Sequence, residues 1–211
     1  MTLSSLFKGN RVFFIVFLIF FTISVFVLLA FSKIEGFYLL NPPHTDLLNL
    51  LFIYFTYLGD GFFCVIIGVL LFIFKDRTTG LMIIAGYALS GIIAQVLKYF
   101  IVEPRPAILL KDSNYAYFIE NVTLHNLHSF PSGHTASAFA LAAVLSFAAK
   151  NNTYSILFLC GAILVGYSRI YLAQHFLNDV LAGAVIGVVS VIICQVFLTG
   201  PFQKIKFPTR N

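Results

Sequence analysis

Long apolar runs separated by short polar punctuation organise this chain. From about Val12 to Phe31 the sequence is almost unbroken grease. Such a run of roughly 20 residues crosses a hydrocarbon core of ~30 Å at 1.5 Å per residue. A cleaved leader is the rival reading, but no small-residue cleavage site follows and the run exceeds a signal core, so it reads as a retained helix. Lys33 to Asp46 contains Asn41-Pro42-Pro43 and reads as a loop. The next apolar region, 47–74, is broken by Gly59-Asp60-Gly61. Two glycines around a carboxylate interrupt a helix, which predicts a half-buried or interfacial helix to about Tyr57 and a spanning one from Gly61. Asp60 is open to a catalytic reading, although capping the helix that follows is the plainer one. A third run, 80–101, stops at Pro104 and Pro106, which lack the backbone donor and clash with the preceding turn. The longest polar segment, 103–130, carries Lys111, Asp112, Glu120, His125 and His128, and its length suits a lid or substrate rim. Three more helices are predicted over 132–149, 153–171 and 178–198. The expectation is an all-α, polytopic bundle of six transmembrane helices, at about 12–31, 61–74, 80–101, 132–149, 153–171 and 178–198, within one integral-membrane domain covering 1–211.

Composition strengthens that picture. Sixty per cent of the residues are hydrophobic and 10% charged, and the mean hydropathy is +0.96, far from soluble values. The net charge of +5 does not indicate nucleic acid, because the basic residues are scattered between apolar runs instead of forming a stripe. Cys64, Cys160 and Cys194 lie in apolar runs without metal-ligand spacing. Six spans put both termini on one side, with Lys8, Arg11, Lys75, Arg77, Lys150, Lys204, Lys206 and Arg210. The other side has Lys33, Lys98, Arg105, Lys111 and Arg169. Setting aside the three that belong to motifs leaves a bias of eight to two. By the positive-inside rule this predicts cytoplasmic termini and outward-facing motifs.

The candidate chemistry lies at helix ends. His175 and Asp179, four apart, share one helix face, so the carboxylate can orient one ring nitrogen and leave the other free to attack. Alone, His-x3-Asp reads equally well as an ion pair at a polar helix end. Pro131-Ser132-Gly133-His134 opens a helix whose first amides suit an anion on Ser132 and Gly133, with His134 placed to donate a proton. Alone, this tetrapeptide is better read as an ordinary cap. Lys98, Arg105 and Arg169 are each explicable as snorkelling anchors, yet three cations on one side beside two histidines suit a phosphate. His125 and His128 read as solvated loop residues. A metal built on His134, His175 and Asp179 is disfavoured by the three cations crowding the same place.

Lys98-x6-Arg105-Pro106, Pro131-Ser132-Gly133-His134 and Ser168-Arg169-x5-His175-x3-Asp179 together resemble the three-part signature of the type 2 phosphatidic acid phosphatase superfamily. All three motifs are present without departure and in order, across a layout of about 12–198. The resemblance implies the active-site core shared with vanadium haloperoxidases; that branch is soluble and much longer, so the membrane composition excludes it. It further implies a cofactor-free, metal-independent lipid phosphatase. In it His175 would attack phosphorus and be oriented by Asp179, while His134 would protonate the leaving group. Lys98, Arg105, Ser132, Gly133 and Arg169 would hold the phosphate. The expected partners are the bilayer and a lipid phosphate, with no nucleic acid and no obligate protein partner. Candidate substrates are phosphatidylglycerophosphate, undecaprenyl diphosphate, phosphatidic acid and lipid A phosphate, with polyprenyl diphosphate and lipid A favoured. The alternatives are phosphate transfer between lipids and a non-catalytic lipid-phosphate binder or transporter.

Overall fold

The structure is a computed structural model describing residues 2–111, 113, 115, 117–119 and 122–204, with side chains through 198. Asp112, Glu120, Lys206 and Arg210 lie outside the described residues. The helices run α1 (Leu3–Gly9), α2 (Arg11–Ala30), α3 (Lys33–Leu40), α4 (Asp46–Thr56), α5 (Gly61–Phe74), α6 (Arg77–Phe100), α7 (Pro106–Leu109), α8 (Gly133–Ala149), α9 (Asn152–Tyr171) and α10 (Leu177–Lys204). A single 3-10 turn, Tyr57–Gly59, joins α4 to α5. Among the described residues there is no strand.

The stretch expected as a loop over 33–46 instead contains α3. Its start is a capping box: Ser32 Oγ accepts from the Glu35 amide at 3.3 Å, and Glu35 Oε2 accepts from the Ser32 amide at 2.9 Å. Two otherwise orphaned donors are satisfied at once, which is enough to nucleate a short helix. Pro42 and Pro43 then confine the loop to 41–45. At Gly59-Asp60-Gly61 the predicted break is present, and α4 and α5 meet there at 56°. Asp60 has extended backbone, and its carboxylate accepts from the Phe62 amide at 2.8 Å. It caps α5, as the plainer reading held.

Four helices are long and apolar enough to cross a membrane: α2, α6, α9 and α10 as far as Leu198. The bent α4–α5 pair makes a fifth if counted as one broken span. α5 alone has 14 residues, about 21 Å of rise. α8, with 17 residues, is also shorter than the four helices of spanning length. It is buried without interruption from Thr135 to Val144, so it has little need of a lipid-facing surface. α2 is its opposite. Only Phe13 and Ser24 are fully buried there, while Leu29 is 83% exposed. An apolar face of that extent would aggregate in water, and in a bilayer it is simply the solvated surface.

α8 is the axis of the bundle, packing against α6, α9 and α10. Small residues set how closely α10 approaches it. A Cβ on Gly183 would stand 2.5 Å from the Ser132 carbonyl oxygen, and one on Gly187 would run into the Ala136 carbonyl oxygen. Glycine at both positions lets two backbones touch, as membrane helices do when hydrophobic association between them is weak. One turn before Gly183, the Asp179 carbonyl oxygen accepts from the Ser132 amide at 3.0 Å. The packing of α10 on α8 therefore sets the register between the Ser-Gly-His turn and the His-Asp pair.

Candidate active site

The motif residues gather at one end of the bundle. Lys98 closes α6, Ser132 caps α8, Arg169 lies in the last turn of α9, and Asp179 in the first turn of α10. His175 sits in the connection between α9 and α10, held by its own amide on the Arg169 carbonyl oxygen at 3.1 Å. The Gln174 amide shares that acceptor at 2.9 Å.

Asp179 is the hub. Its Oδ2 accepts from Ser129 Oγ at 2.5 Å and from the Phe176 amide at 2.9 Å. His175 Nδ1 stands 3.4 Å from the same oxygen, with both side chains buried. That is an ion-pair distance, longer than a formed hydrogen bond, and Nδ1 has no other acceptor. Asp179 Oδ1 is buried and unpartnered. Burial pushes the His175 imidazole down to about 3, and Arg169 and Arg105 act in the same direction against the opposing pull of Asp179. The site thus holds a neutral ring with Nδ1 turned toward a carboxylate and Nε2 on the other side of the ring.

The cations are arranged around this pair. Arg169 is buried, with Nη1 donating to Thr56 Oγ1 at 2.6 Å and Nε unpartnered. Arg105 donates from Nε to the Leu127 carbonyl at 3.1 Å, and from Nη1 to the Gln174 carbonyl and Oε1 at 3.2 and 3.3 Å. Lys98 Nζ donates to the His128 carbonyl at 2.6 Å. His128 returns a contact from Nδ1 to the Lys98 carbonyl at 2.8 Å, so this exposed loop residue is more than the solvated bystander expected. All three cations lie near enough to His134 to act on its charge, as does Asp60. Among the described residues none of the three is in an ion pair; those pairs are Lys33–Glu103 and His175–Asp179.

The Ser-Gly-His turn is more specialised than its sequence suggested. The Ser132 amide is spent on Asp179, and its hydroxyl accepts from Thr135 Oγ1 at 2.8 Å and the Thr135 amide at 3.3 Å. The Gly133 and His134 amides are left at the open start of α8, where the helix dipole favours an anion. Nothing lies within 4 Å of the position a Gly133 Cβ would take. Against the back of His134 stands Gly59, whose missing Cβ would be 2.8 Å from the His134 carbonyl oxygen. A cavity of about 580 Å³ opens beside it, lined by Lys98, Gln95, Gly91 and Tyr87 of α6, Gly133, His134 and Ser137 of α8, and Gly59 and Gly61 at the bend.

A family model described as the PAP2 superfamily matches residues 79–200. The chain belongs to the PAP2 superfamily. The undecaprenyl-diphosphatase of Sulfolobus acidocaldarius is 29% identical over 200 residues, covering 91% of this chain and 94% of that protein. The phosphatidylglycerophosphatase B of Bacillus subtilis is 30% identical over 158 residues, covering 67% and 71%. Among solved structures, Aquifex aeolicus LpxE superposes with a TM-score of 0.68 at 36% identity, over 78% of this chain and 95% of that one. This PAP2 member is thus an integral membrane protein with a helical fold found in solved relatives.

Three residues around the motifs were not singled out from the sequence: Thr56, Ser129 and Gln174. Each is an ordinary polar residue whose partner is remote in the chain, 113 positions away for Thr56 and Arg169. The sole hint was polarity inside or beside apolar runs. Thr56→Val keeps the shape and removes the acceptor of a buried guanidinium, which leaves the cation free to swing. The expected result is a loss of about tenfold in vanadate or phosphate affinity, restored by Thr56→Ser. An equal loss in Val and Ser variants would contradict it.

Proposed function

We propose that this PAP2 protein is a lipid phosphatase that hydrolyses a phosphomonoester or diphosphate lipid through a phosphohistidine. The observation that carries the reading is the cluster of Lys98, Arg105 and Arg169 with no carboxylate in ion-pair reach among the described residues. Arg169 is buried, and a buried cation left unpaired is costly; a phosphate supplies the missing charge with three oxygens for planar and point donors to grip. The undecaprenyl-diphosphatase and phosphatidylglycerophosphatase B relatives favour a lipid as the carrier of that phosphate.

In this reading Lys98, Arg105, Arg169, the Ser132 hydroxyl and the Gly133 amide at the start of α8 hold the phosphate and stabilise its equatorial oxygens. His175 Nε2 attacks phosphorus as Asp179 orients the ring and stabilises the charge it acquires. The P–O bond to the leaving group breaks in line, and the departing oxygen takes a proton from His134. Water, deprotonated by His134, then attacks the phosphohistidine, releasing phosphate and restoring the imidazole. No step of this reading requires a metal. The whole chain, 1–211, acts as one domain of six spans, with α5 and α8 as the short ones. Its termini are cytoplasmic and its site faces outward at headgroup level, where a phosphate is reached without pulling tails into water; the eight-to-two charge bias supports this orientation.

The test is phosphate release from a panel of monoester and diphosphate lipids by detergent-solubilised protein in excess chelator, with His175→Ala as control. Release by the wild type alone is expected. No release from any lipid, or release abolished by chelator, overturns the reading. The pH dependence follows from His175. With its titration pushed down to about 3, the nucleophile of the free enzyme stays unprotonated as pH falls through the ordinary histidine range. kcat/KM on a diphosphate lipid is therefore expected to show no tenfold-per-unit fall between about pH 6 and pH 5, as an ordinary nucleophilic histidine would give.

A further inference from the structure

The cavity beside the site is lined by Lys98, Gly133 and His134, whereas His175 and Asp179 are absent from its walls. On the phosphatase reading, in-line displacement puts the leaving group opposite the nucleophile, which assigns this space, lined by His134 and not by His175, to the leaving group. Gln95 faces it. It stands three residues before Lys98 on α6, which puts it on the same helix face one turn deeper. Its side chain is exposed, and it has no hydrogen-bond partner among the described residues. A free amide in a spanning helix, at a level where neighbours such as Ile92 and Val96 are apolar, is costly unless something polar meets it.

We propose that Gln95 is a specificity-determining contact for the leaving group, donating hydrogen bonds to oxygens one bond or more beyond the scissile P–O. The inference rests on the phosphatase reading above. Its ligand chemistry is an oxygen acceptor next to the cleaved phosphate, supplied either by the second phosphate of a lipid diphosphate or by the ester oxygens of a glycerolipid. A bare alkyl leaving group has nothing to offer the amide. Gly91, one turn further down the same face, has nothing within 4 Å of where a Cβ would be, so the track below Gln95 is open for a chain.

The experiment measures kcat/KM of wild type, Gln95→Leu and Gln95→Glu on farnesyl phosphate, farnesyl diphosphate and dioleoyl phosphatidic acid. Leu is expected to cost about tenfold or more wherever an acceptor flanks the cleaved phosphate, and to leave farnesyl phosphate within about twofold. Loss confined to the diphosphate, deeper still with Glu because like charges repel, assigns the second phosphate. Loss confined to phosphatidic acid assigns the ester oxygens. Equal loss on all three substrates, or none on any, overturns the role of Gln95 while leaving the phosphatase reading standing. Wild type inactive on all three sinks the phosphatase reading itself.

Discussion

His175→Ala is expected to reduce phosphate release by about 10⁴-fold or more, the scale seen when an activated nucleophile or its orienting partner is lost. The reason lies in the asymmetry of the two histidines. Only His175 has a carboxylate at ion-pair distance, 3.4 Å from Nδ1, and that carboxylate is itself pinned by Ser129 Oγ and the Phe176 amide. A buried ring facing a fixed carboxylate spends little entropy reaching the attacking geometry. Burial keeps it neutral, so the lone pair on Nε2 is available without a separate base. The measurement is a single turnover on lipid labelled in the terminal phosphate, quenched in alkali. Wild type should carry label on His175, and the Ala variant should carry none. Label found on another residue, or a variant within tenfold of wild type, would remove His175 from its role.

The second large effect depends on the substrate. His134→Ala is expected to cost about 10²–10⁴ in kcat on a monoester lipid, the usual range for general acid catalysis, and within about tenfold on a diphosphate lipid. An alkoxide leaves poorly without a proton, whereas a phosphate is already a stable anion. In the reading proposed above, His134 is placed to give that proton: it lines the cavity from whose walls His175 is absent, and Gly59 stands against its carbonyl. Comparing both substrates in one preparation separates a chemical defect from a folding one. Equal losses on the two would rule out His134 as general acid.

Much of this was legible in the chain because the physics is local. Hydropathy alone placed the long spans at 12–31, 80–101, 153–171 and 178–198 to within a few residues of α2, α6, α9 and α10, since lipid demands about 20 apolar residues whatever they pack against. The cap at Asp60 was readable from two glycines and a carboxylate. Pro42 and Pro43 give the segment before Asp46 the look of a loop, whereas the Ser32-x-x-Glu35 box is the local signal that starts the helix at Lys33–Leu40. α5 and α8 fall short of spanning length, yet the polar and glycine punctuation around them placed helices at 61–74 and 132–149, close to the observed Gly61–Phe74 and Gly133–Ala149. α8 can be short because it is buried from Thr135 to Val144 and is stabilised by its neighbours rather than by lipid.

The candidate site divides along the same line. Sequence by itself determined the inventory: three cations, two histidines, one carboxylate and a Ser-Gly turn, each at the end of an apolar run, because an unpaired charge cannot lie mid-membrane. Tertiary structure alone decided how they meet. Gly183 and Gly187 bring α10 onto α8 and so put Asp179 against Ser132, the bend after α4 delivers Thr56 to Arg169, and Ser129 closes on Asp179 from a loop 50 residues upstream. Such contacts depend on the angle and depth at which helices cross, quantities carried by packing among distant residues and written in no single stretch of chain.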